Sequence, residues 1–372
     1  MDFFIKRDMM KHKTSLLIIF GLIIMVIMLY FIGIGQIVYA LSAANLWYVL
    51  LAILLEFVVY FLFALRWYVI NGLADIKVSL WKLLPMIMLS LSVNNITPSG
   101  RGGGEPVRAY VLTKEVNIPF EETFATVIAD RAMDTFPFIV LAILTIISVI
   151  LNFNLDLTII AILIIAVVAV ILAVAAIVYM SINEGFGQKV IGGLVWLLHK
   201  FSKKDTEQRE KRLVSAVNGF QETMKVMLSD KDLMYYALPI SFLIWMVEIS
   251  RVVLIFMAFG YPVSPIIIAE VFIISVLVGF IPFLPGGIGL IDGTMILFFA
   301  SAGIPSGISA AATVIERLIS YWMTTFLGLL TIPYYGVNVL ENITGPKDNE
   351  KDNTREFDDA VDNIKKLNKM TK

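Results

Sequence analysis

The 372-residue sequence contains no cysteine, which excludes disulfides, thiol catalysis and Cys-based metal sites. Its two histidines, His12 and His199, lie beside lysines in polar segments, so the sequence offers neither a His-based metal centre nor a Ser-His-Asp triad. Charge is also scarce: 16% of residues are charged against 59% hydrophobic, and mean hydropathy is +0.85. A water-soluble chain of this length cannot bury that much apolar surface in one core, so lipid must be its solvent. Nucleotide signatures fail as well. No Lys-Ser/Thr follows the glycines at 100–104, as a P-loop requires, and the third glycine of a dinucleotide fingerprint falls on Glu105. Neither a cofactor nor a nucleic acid partner is expected.

What the chain does have is long apolar runs. Candidate spans of about 20 residues fall at 15–32, 46–65, 122–150, 157–181, 233–259 and 306–335. The basic N-terminus followed by an apolar stretch resembles a signal peptide, but the run is too long and reads as a retained first span. Two shorter apolar segments, 80–96 and 265–284, run into Gly/Pro-rich motifs. The first motif is Thr97-Pro98-Ser99-Gly100-Arg101-Gly102-Gly103-Gly104-Glu105-Pro106, and the second is Pro282-Phe283-Leu284-Pro285-Gly286-Gly287-Ile288-Gly289-Leu290. Reading both segments as re-entrant hairpins places the basic stretch 182–232, the N-terminus and the charged tail in the cytoplasm, and the loops at 33–45, 151–156 and 260–265, which lack Lys and Arg, outside.

The expected fold is therefore all-α, with six full transmembrane helices plus two re-entrant hairpins. One membrane domain covers 1–336, and a polar cytoplasmic tail covers 337–372. Within 182–232, Leu213, Val217, Phe220, Met224 and Met227 recur at helical spacing and mark an amphipathic insert, while 186–201, with Trp196, reads as an interfacial helix.

The chain also repeats itself. Ala125-Thr126-Val127-Ile128-Ala129-Asp130-Arg131 echoes Ala312-Thr313-Val314-Ile315-Glu316-Arg317. Pro98 precedes Arg131 by 33 positions and Pro285 precedes Arg317 by 32; Arg66 precedes Pro98 by 32 and Arg251 precedes Pro285 by 34. Two units, about 15–150 and 157–335, follow, with their hairpins entering from opposite sides. Inverted repeats with broken helices meeting near the midplane are a transporter architecture; a rigid scaffold is the alternative.

Ionisable residues inside apolar spans usually mark function. Here they are Glu56, Asp130, Arg131, Asp134, Glu248, Arg251, Glu270, Glu316 and Arg317, with Arg101, Glu105, Arg108 and Asp292 in or beside the motifs. Asp130 and Asp134 share a helix face, and Glu248 can pair with Arg251. The Asp130-Arg131 and Glu316-Arg317 doublets read equally as buried ion pairs that lock helices. Arg66 and Lys82 read as side chains snorkelling to the interface. Helix N-termini after the turns at Pro98, Gly100, Gly102, Gly103, Gly104, Pro285, Gly286, Gly287 and Gly289 could face an anion such as phosphate. The Asn95-Ile96-Thr97 and Asn342-Ile343-Thr344 sequons read as accidental.

The Pro98-to-Arg108 motif, the Leu284-Pro285-Gly286-Gly287-Ile288-Gly289 motif and the Glu316-Arg317 doublet resemble the lysylphosphatidylglycerol synthase transmembrane family, also called flippase-like or UPF0104 membrane proteins. The resemblance covers about 15–335. Family members often carry a glutamate after the second motif; Asp292 stands at that position and shortens the side chain. The resemblance implies lipid translocation. The tail of fewer than 40 residues is too short for the aminoacyl-transferase domain of the name-giving members, which argues against lipid lysylation. Some related membrane regions are attached to glycosyltransferases, so polyprenyl-linked lipids join anionic and zwitterionic phospholipids as expected cargo.

The first reading is thus a non-enzymatic flippase or flippase-like transporter in the cell membrane. Arg101, Arg108, Arg131 and Arg317 would draw in a headgroup phosphate, and Glu105, Asp130, Asp134, Asp292 and Glu316 would balance charge, hold a cationic headgroup or take a coupling proton. An intramembrane lipid-headgroup enzyme using the same carboxylates and an accessory subunit of a glycosyltransferase are the competing readings. Expected partners are membrane lipids, with a glycosyltransferase or a second copy of the chain as protein partner.

Overall fold

The computed structural model describes residues 42–97, 102–152, 157–201, 206–279 and 285–335. The expected first span, the tail, and Pro98, Gly100 and Arg101 of the first motif lie outside the described residues. Every described element is helical or turn.

Helix α1 (Leu46–Leu73) opens with an Asn45 side chain that accepts from the Trp47 N–H. A further 17 apolar-rich residues form α2 (Leu80–Ile96), and α3 (Gly104–Val116) follows the first motif. The long α4 (Phe120–Asn152) and α5 (Leu157–Ile182) come next, then α6 (Glu184–Phe201) and α7 (Thr206–Ser229). A π turn, Leu233–Ala237, leads into α8 (Leu238–Ala258). Helix α9 (Pro265–Gly279) precedes the second motif, whose Pro285–Gly287 forms a 3₁₀ turn before α10 (Leu290–Ser301). The chain closes on α11 (Ser306–Arg317), a second π turn (Leu318–Met323) and α12 (Thr324–Tyr335).

Four of these stretches are long and apolar enough to cross a membrane: Leu46–Leu73, Phe120–Leu151, Ile160–Ser181 and Leu233–Ala258. They correspond to four of the six expected spans. The expected span at 306–335 is helical throughout, but the π turn divides it. The expected span at 46–65 continues to Leu73 because Arg66, Trp67 and Asn71 all find buried partners and need not leave the helix. Large apolar side chains on one side of α1 (Leu46, Leu50, Leu54, Phe57 and Phe61) stay exposed, as a lipid-facing surface requires.

Two large apolar clusters build most of the interior, and a small third one (Val59, Leu62 and Ile244) joins α1 to α8. One joins the start of α1 and the second half of α4 to α8, α9, α10 and α11. The other joins the end of α1 and the first half of α4 to α2, α3 and α12. On α1, Glu56 lies between the two large clusters and Arg66 just inside the second; on α4, Asp134 lies between them, with Asp130 and Arg131 in the last turn of the second. The amphipathic α7 lays its stripe on protein: Met224 and Met227 are fully buried and Phe220 meets Phe124 of α4.

Candidate functional site

The two Gly/Pro motifs share a role and differ in means. At the first, a side chain on Gly104 would strike the Ser90 carbonyl of α2, so only glycine lets α3 pack this closely on α2. Gly103 has ordinary right-handed dihedrals. At the second, Gly286, Gly287 and Gly289 all have positive φ (57°, 65° and 78°), and a side chain on Gly286 would strike the Tyr321 ring. The first hairpin thus needs close approach, while the second needs left-handed backbone. The helix N-termini beyond the turns are partly occupied: the Gly104 N–H donates to Asn94 Oδ1 (2.7 Å) and the Gly289 N–H to Asp292 Oδ2 (2.6 Å).

Around the hairpins the charged residues pair in two matching sets. In the first, Arg66 donates to Asp130 (2.6 Å) and Asp134 (2.8 Å), while Arg131 pairs with Glu105 of α3. In the second, Arg251 meets Glu316 (3.2 Å), while Arg317 pairs with Asp292 of α10 (3.0 Å) and donates to the Gly286 carbonyl (2.9 Å). The separations match: 64 residues from Arg66 to Asp130 and 65 from Arg251 to Glu316. The sets also cross over. Arg66 donates to Ser241 of α8 (3.0 Å), and Arg251 pairs with Glu56 of α1, so α1 and α8 each complete the other's arginine.

These contacts correct the reading of Arg66 as an interfacial side chain. It is fully buried, and its neighbour Trp67 reaches Thr126 of α4. Sequence position near the end of an apolar run suggested snorkelling, because the acidic partners lie over 60 residues away. Lys82 does remain exposed, beside Glu115. Glu56 and Asn94 also entered no site assignment. Asn94 clamps the first hairpin, accepting from Gly104 and donating to Glu105 (3.1 Å). Its signal was visible as Asn94-Asn95 at the end of an apolar helix. Asn95 bonds to the Tyr321 carbonyl (3.2 Å) and Thr325 (2.9 Å), which occupies the first sequon in packing.

The clusters meet at a cavity of about 130 Å³. Asn94, Asn95, Arg131 and Asp134 line it from the first half, and Glu248, Arg251, Gly286, Glu316, Arg317 and Tyr321 from the second, with Glu56 of α1 between. The end of α2 also touches the Pro285–Gly287 turn. Arg131 is the most exposed of the paired arginines, at 30%. Arg108 stands apart: 2% exposed, it donates to Asp130 (2.8 Å), stacks over Trp67, and does not line this cavity. With Arg66 and Ser90 it lines a hole of about 10 Å³, roughly one water in size. Arg66 Nη2, Arg108 Nε and Ser90 Oγ have no protein partner. Glu105 and Asp292 lie on the hairpins as expected, each tied to the arginine of its doublet; Arg101 is outside the described residues.

Comparison with known proteins gives the family. The family model described as the lysylphosphatidylglycerol synthase TM region matches residues 16–328. A UPF0104 membrane protein of Methanothermobacter thermautotrophicus is 48% identical over 334 residues, covering 90% of this chain and 99% of that protein. A UPF0104 membrane protein of Methanocaldococcus jannaschii is 31% identical over 330 residues, covering 87% and 96%. More distantly, the glycosyltransferase AglD of Haloferax volcanii is 23% identical over 261 residues, 65% of this chain and 42% of that protein. Both hairpin motifs and both arginine doublets fall inside the matched region, and the chain is a polytopic membrane protein belonging to the UPF0104, or lysylphosphatidylglycerol synthase TM region, family.

Proposed function

We propose that this chain is a flippase-like transporter that carries an anionic or zwitterionic phospholipid, or a polyprenyl-linked lipid, across the cell membrane. The observation that carries the reading is a cavity onto which charged residues of both halves converge. Broken helices at membrane depth are tolerated where they line such a space. The matched ion pairs support a repeat of two units; in this reading the units are inverted, with six spans, two re-entrant hairpins and both termini cytoplasmic, as the distribution of lysine and arginine along the sequence requires.

Cargo recognition follows from the pairing. Each arginine lining the cavity already has a carboxylate, so a headgroup phosphate enters by replacing one. Arg131 and Arg317 suit that exchange, since each holds a hairpin carboxylate, Glu105 and Asp292 respectively. A planar guanidinium can shift from carboxylate to phosphate with its two-pronged geometry intact. Losing its arginine frees the hairpin, and the half-site opens. A cavity of about 130 Å³ takes a polar headgroup and leaves the tails in lipid. Arg108 and Arg66 are framework in this scheme. No covalent step is needed, and the chain is read as a non-enzyme.

Purified protein in liposomes, assayed with tail-labelled lipids of several headgroups, tests the reading. Arg131→Lys and Arg317→Lys should slow lipid movement per folded molecule while thermal stability stays near wild type. Transport unchanged in both variants, or absent for every lipid in wild type, rejects it. Because the sequence lacks cysteine, single cysteines report topology directly. Those at Ala43 and Gly260 should label from outside, and those at Ser202 and Asn349 should not; labelling at Ser202 removes the re-entrant arrangement.

The AglD match favours a second reading, a membrane partner for a glycosyltransferase. Co-purification with such an enzyme, without lipid movement by the chain alone, would select it. The buried stripe of α7 leaves that helix's polar face, and not its apolar one, for any contact.

A further inference from the structure

Glu56 sits deep in the protein on an apolar helix. Ten residues separate it from the start of α1, about 15 Å at the helical rise and half of a roughly 30 Å hydrocarbon core. It is 4% exposed, lines the cavity and pairs with Arg251. Arg251 is shared. Glu316, itself 3% exposed, contacts the same guanidinium at 3.2 Å, and Glu248 approaches it at 3.6 Å. Arg317, the adjacent cation, is turned away to Asp292 and the Gly286 carbonyl. Two wholly buried carboxylates therefore share one positive charge, without counting Glu248. Two like charges this close cannot both stay ionised cheaply at membrane depth.

Hydroxyl groups at Thr324 and Tyr60 add polar contacts to the same carboxylate. Thr324 Oγ1 has one hydrogen and three oxygen neighbours: the Ser320 carbonyl (2.7 Å), Tyr60 Oη (2.5 Å) and Glu56 Oε1 (3.3 Å). The carbonyl can only accept, and neighbouring Thr325 makes the same back-bond to Tyr321 (2.6 Å). The Thr324 hydroxyl also faces Glu56 Oε1, and the Tyr60 hydroxyl bonds the same carboxylate, so hydroxyl groups as well as Arg251 surround Glu56. Arg251 Nε, buried in the same lining, also lacks a protein partner, so the cluster has polar capacity left toward the cavity.

We propose that Glu56 is a proton-binding site whose exchange with the cavity drives the second hairpin, which makes the proton the coupling ion of the transporter. The coupling rests on the transport reading above; the proton site does not. With Glu56 neutral, Arg251 belongs to Glu316. When Glu56 ionises it competes for Arg251, and Glu316 is left to seek its neighbour Arg317. That pull weakens the hold of Arg317 on Asp292 and Gly286, the contacts that fix the second hairpin. The other charged and titratable groups facing Glu56 are Tyr60 on its own helix, Arg131 and Asp134 of α4, Glu248 of α8, and Tyr321 of the second π turn. Helix α2 offers only Asn94 and Asn95 to the cavity, and the first π turn exposes Tyr235 and Tyr236.

Infrared spectroscopy of the full chain in detergent tests the site without reference to transport. Wild type at neutral pH should show the carbonyl band of a protonated carboxylic acid. Glu56→Gln should abolish it, and Glu316→Gln should weaken it, because Arg251 is then left to Glu56 alone. Proteoliposomes of phosphatidylglycerol and phosphatidylethanolamine, with tail-labelled analogues of both, then test coupling. For one proton per lipid, a one-unit pH gradient should shift the steady-state distribution about tenfold. Glu56→Gln should equilibrate lipid with no response to the gradient, and Glu56→Asp should recover part of it. A missing band, or one unchanged in Glu56→Gln, overturns the proton site. A normal band with lipid movement indifferent to the gradient overturns the coupling. The expected band changes with no lipid movement support the proton site and reject the transport reading instead.

Discussion

The two halves of the charged core contain the same contacts at matching positions, yet their charge differs. In the first, Arg66, Arg108 and Arg131 face Glu105, Asp130 and Asp134, three against three. In the second, Arg251 and Arg317 face Glu56, Glu248, Asp292 and Glu316, two against four. The extra arginine of the first half is Arg108, which sits on Trp67 away from the main cavity and brings Asp130 a second partner. Charge-balanced, and with Arg66, Arg108 and Asp130 buried, the first half is suited to hold the helices in register. The second half faces the cavity with more carboxylates than arginines, the feature on which the proposed proton site rests. In the proposed mechanism the first set is the framework and the second the moving part.

The largest effect that would break this comparison is on stability. Asp130→Asn leaves Arg66 and Arg108 without their common carboxylate, and losing one side of a buried ion pair costs about 3–5 kcal/mol. Thermal unfolding in detergent should fall sharply for Asp130→Asn and much less for Glu316→Gln. Equal losses would erase the distinction between framework and moving part.

Next come the two hairpin arginines. Double-mutant cycles on Glu105/Arg131 and Asp292/Arg317 should return coupling energies within about 0.5–3 kcal/mol. The second should be smaller, because Arg317 keeps the Gly286 carbonyl and the Tyr321 ring when Asp292 is lost. The reverse order would show that the first hairpin is the loosely held one.

Backbone effects follow. Gly286→Ala places a side chain at φ 57°, costing about 1–2 kcal/mol, and presses on Tyr321. Transport should suffer more than folding, since the strain falls on the hairpin that moves. Gly104→Ala forces α3 off α2 and should lower the melting temperature and transport together. The smallest effect is expected at the exposed Lys82–Glu115 pair, where Lys82→Ala should leave both melting temperature and transport at wild-type values.

The sequence by itself determined the solvent, the helices and the repeat. Hydropathy places the apolar runs, and the helix at 80–96 falls within the bounds read from sequence because polar residues and glycines flank it. The doublets Asp130-Arg131 and Glu316-Arg317 mark equivalent positions because both units kept them. Only the tertiary structure decided which charges meet. Arg66 and Glu56 each look like lone ionisable residues on apolar helices. Their partners lie 64 and 195 residues away, on helices whose packing no local pattern encodes. The π turn at Leu318–Met323 was equally hidden, since no local pattern in its residues sets it apart from an ordinary helix; its Tyr321 lies against Gly286 of the second motif. Local composition fixes which segments leave water; which carboxylate an arginine takes depends on distance in the folded chain, where one ångström outweighs two hundred residues of sequence.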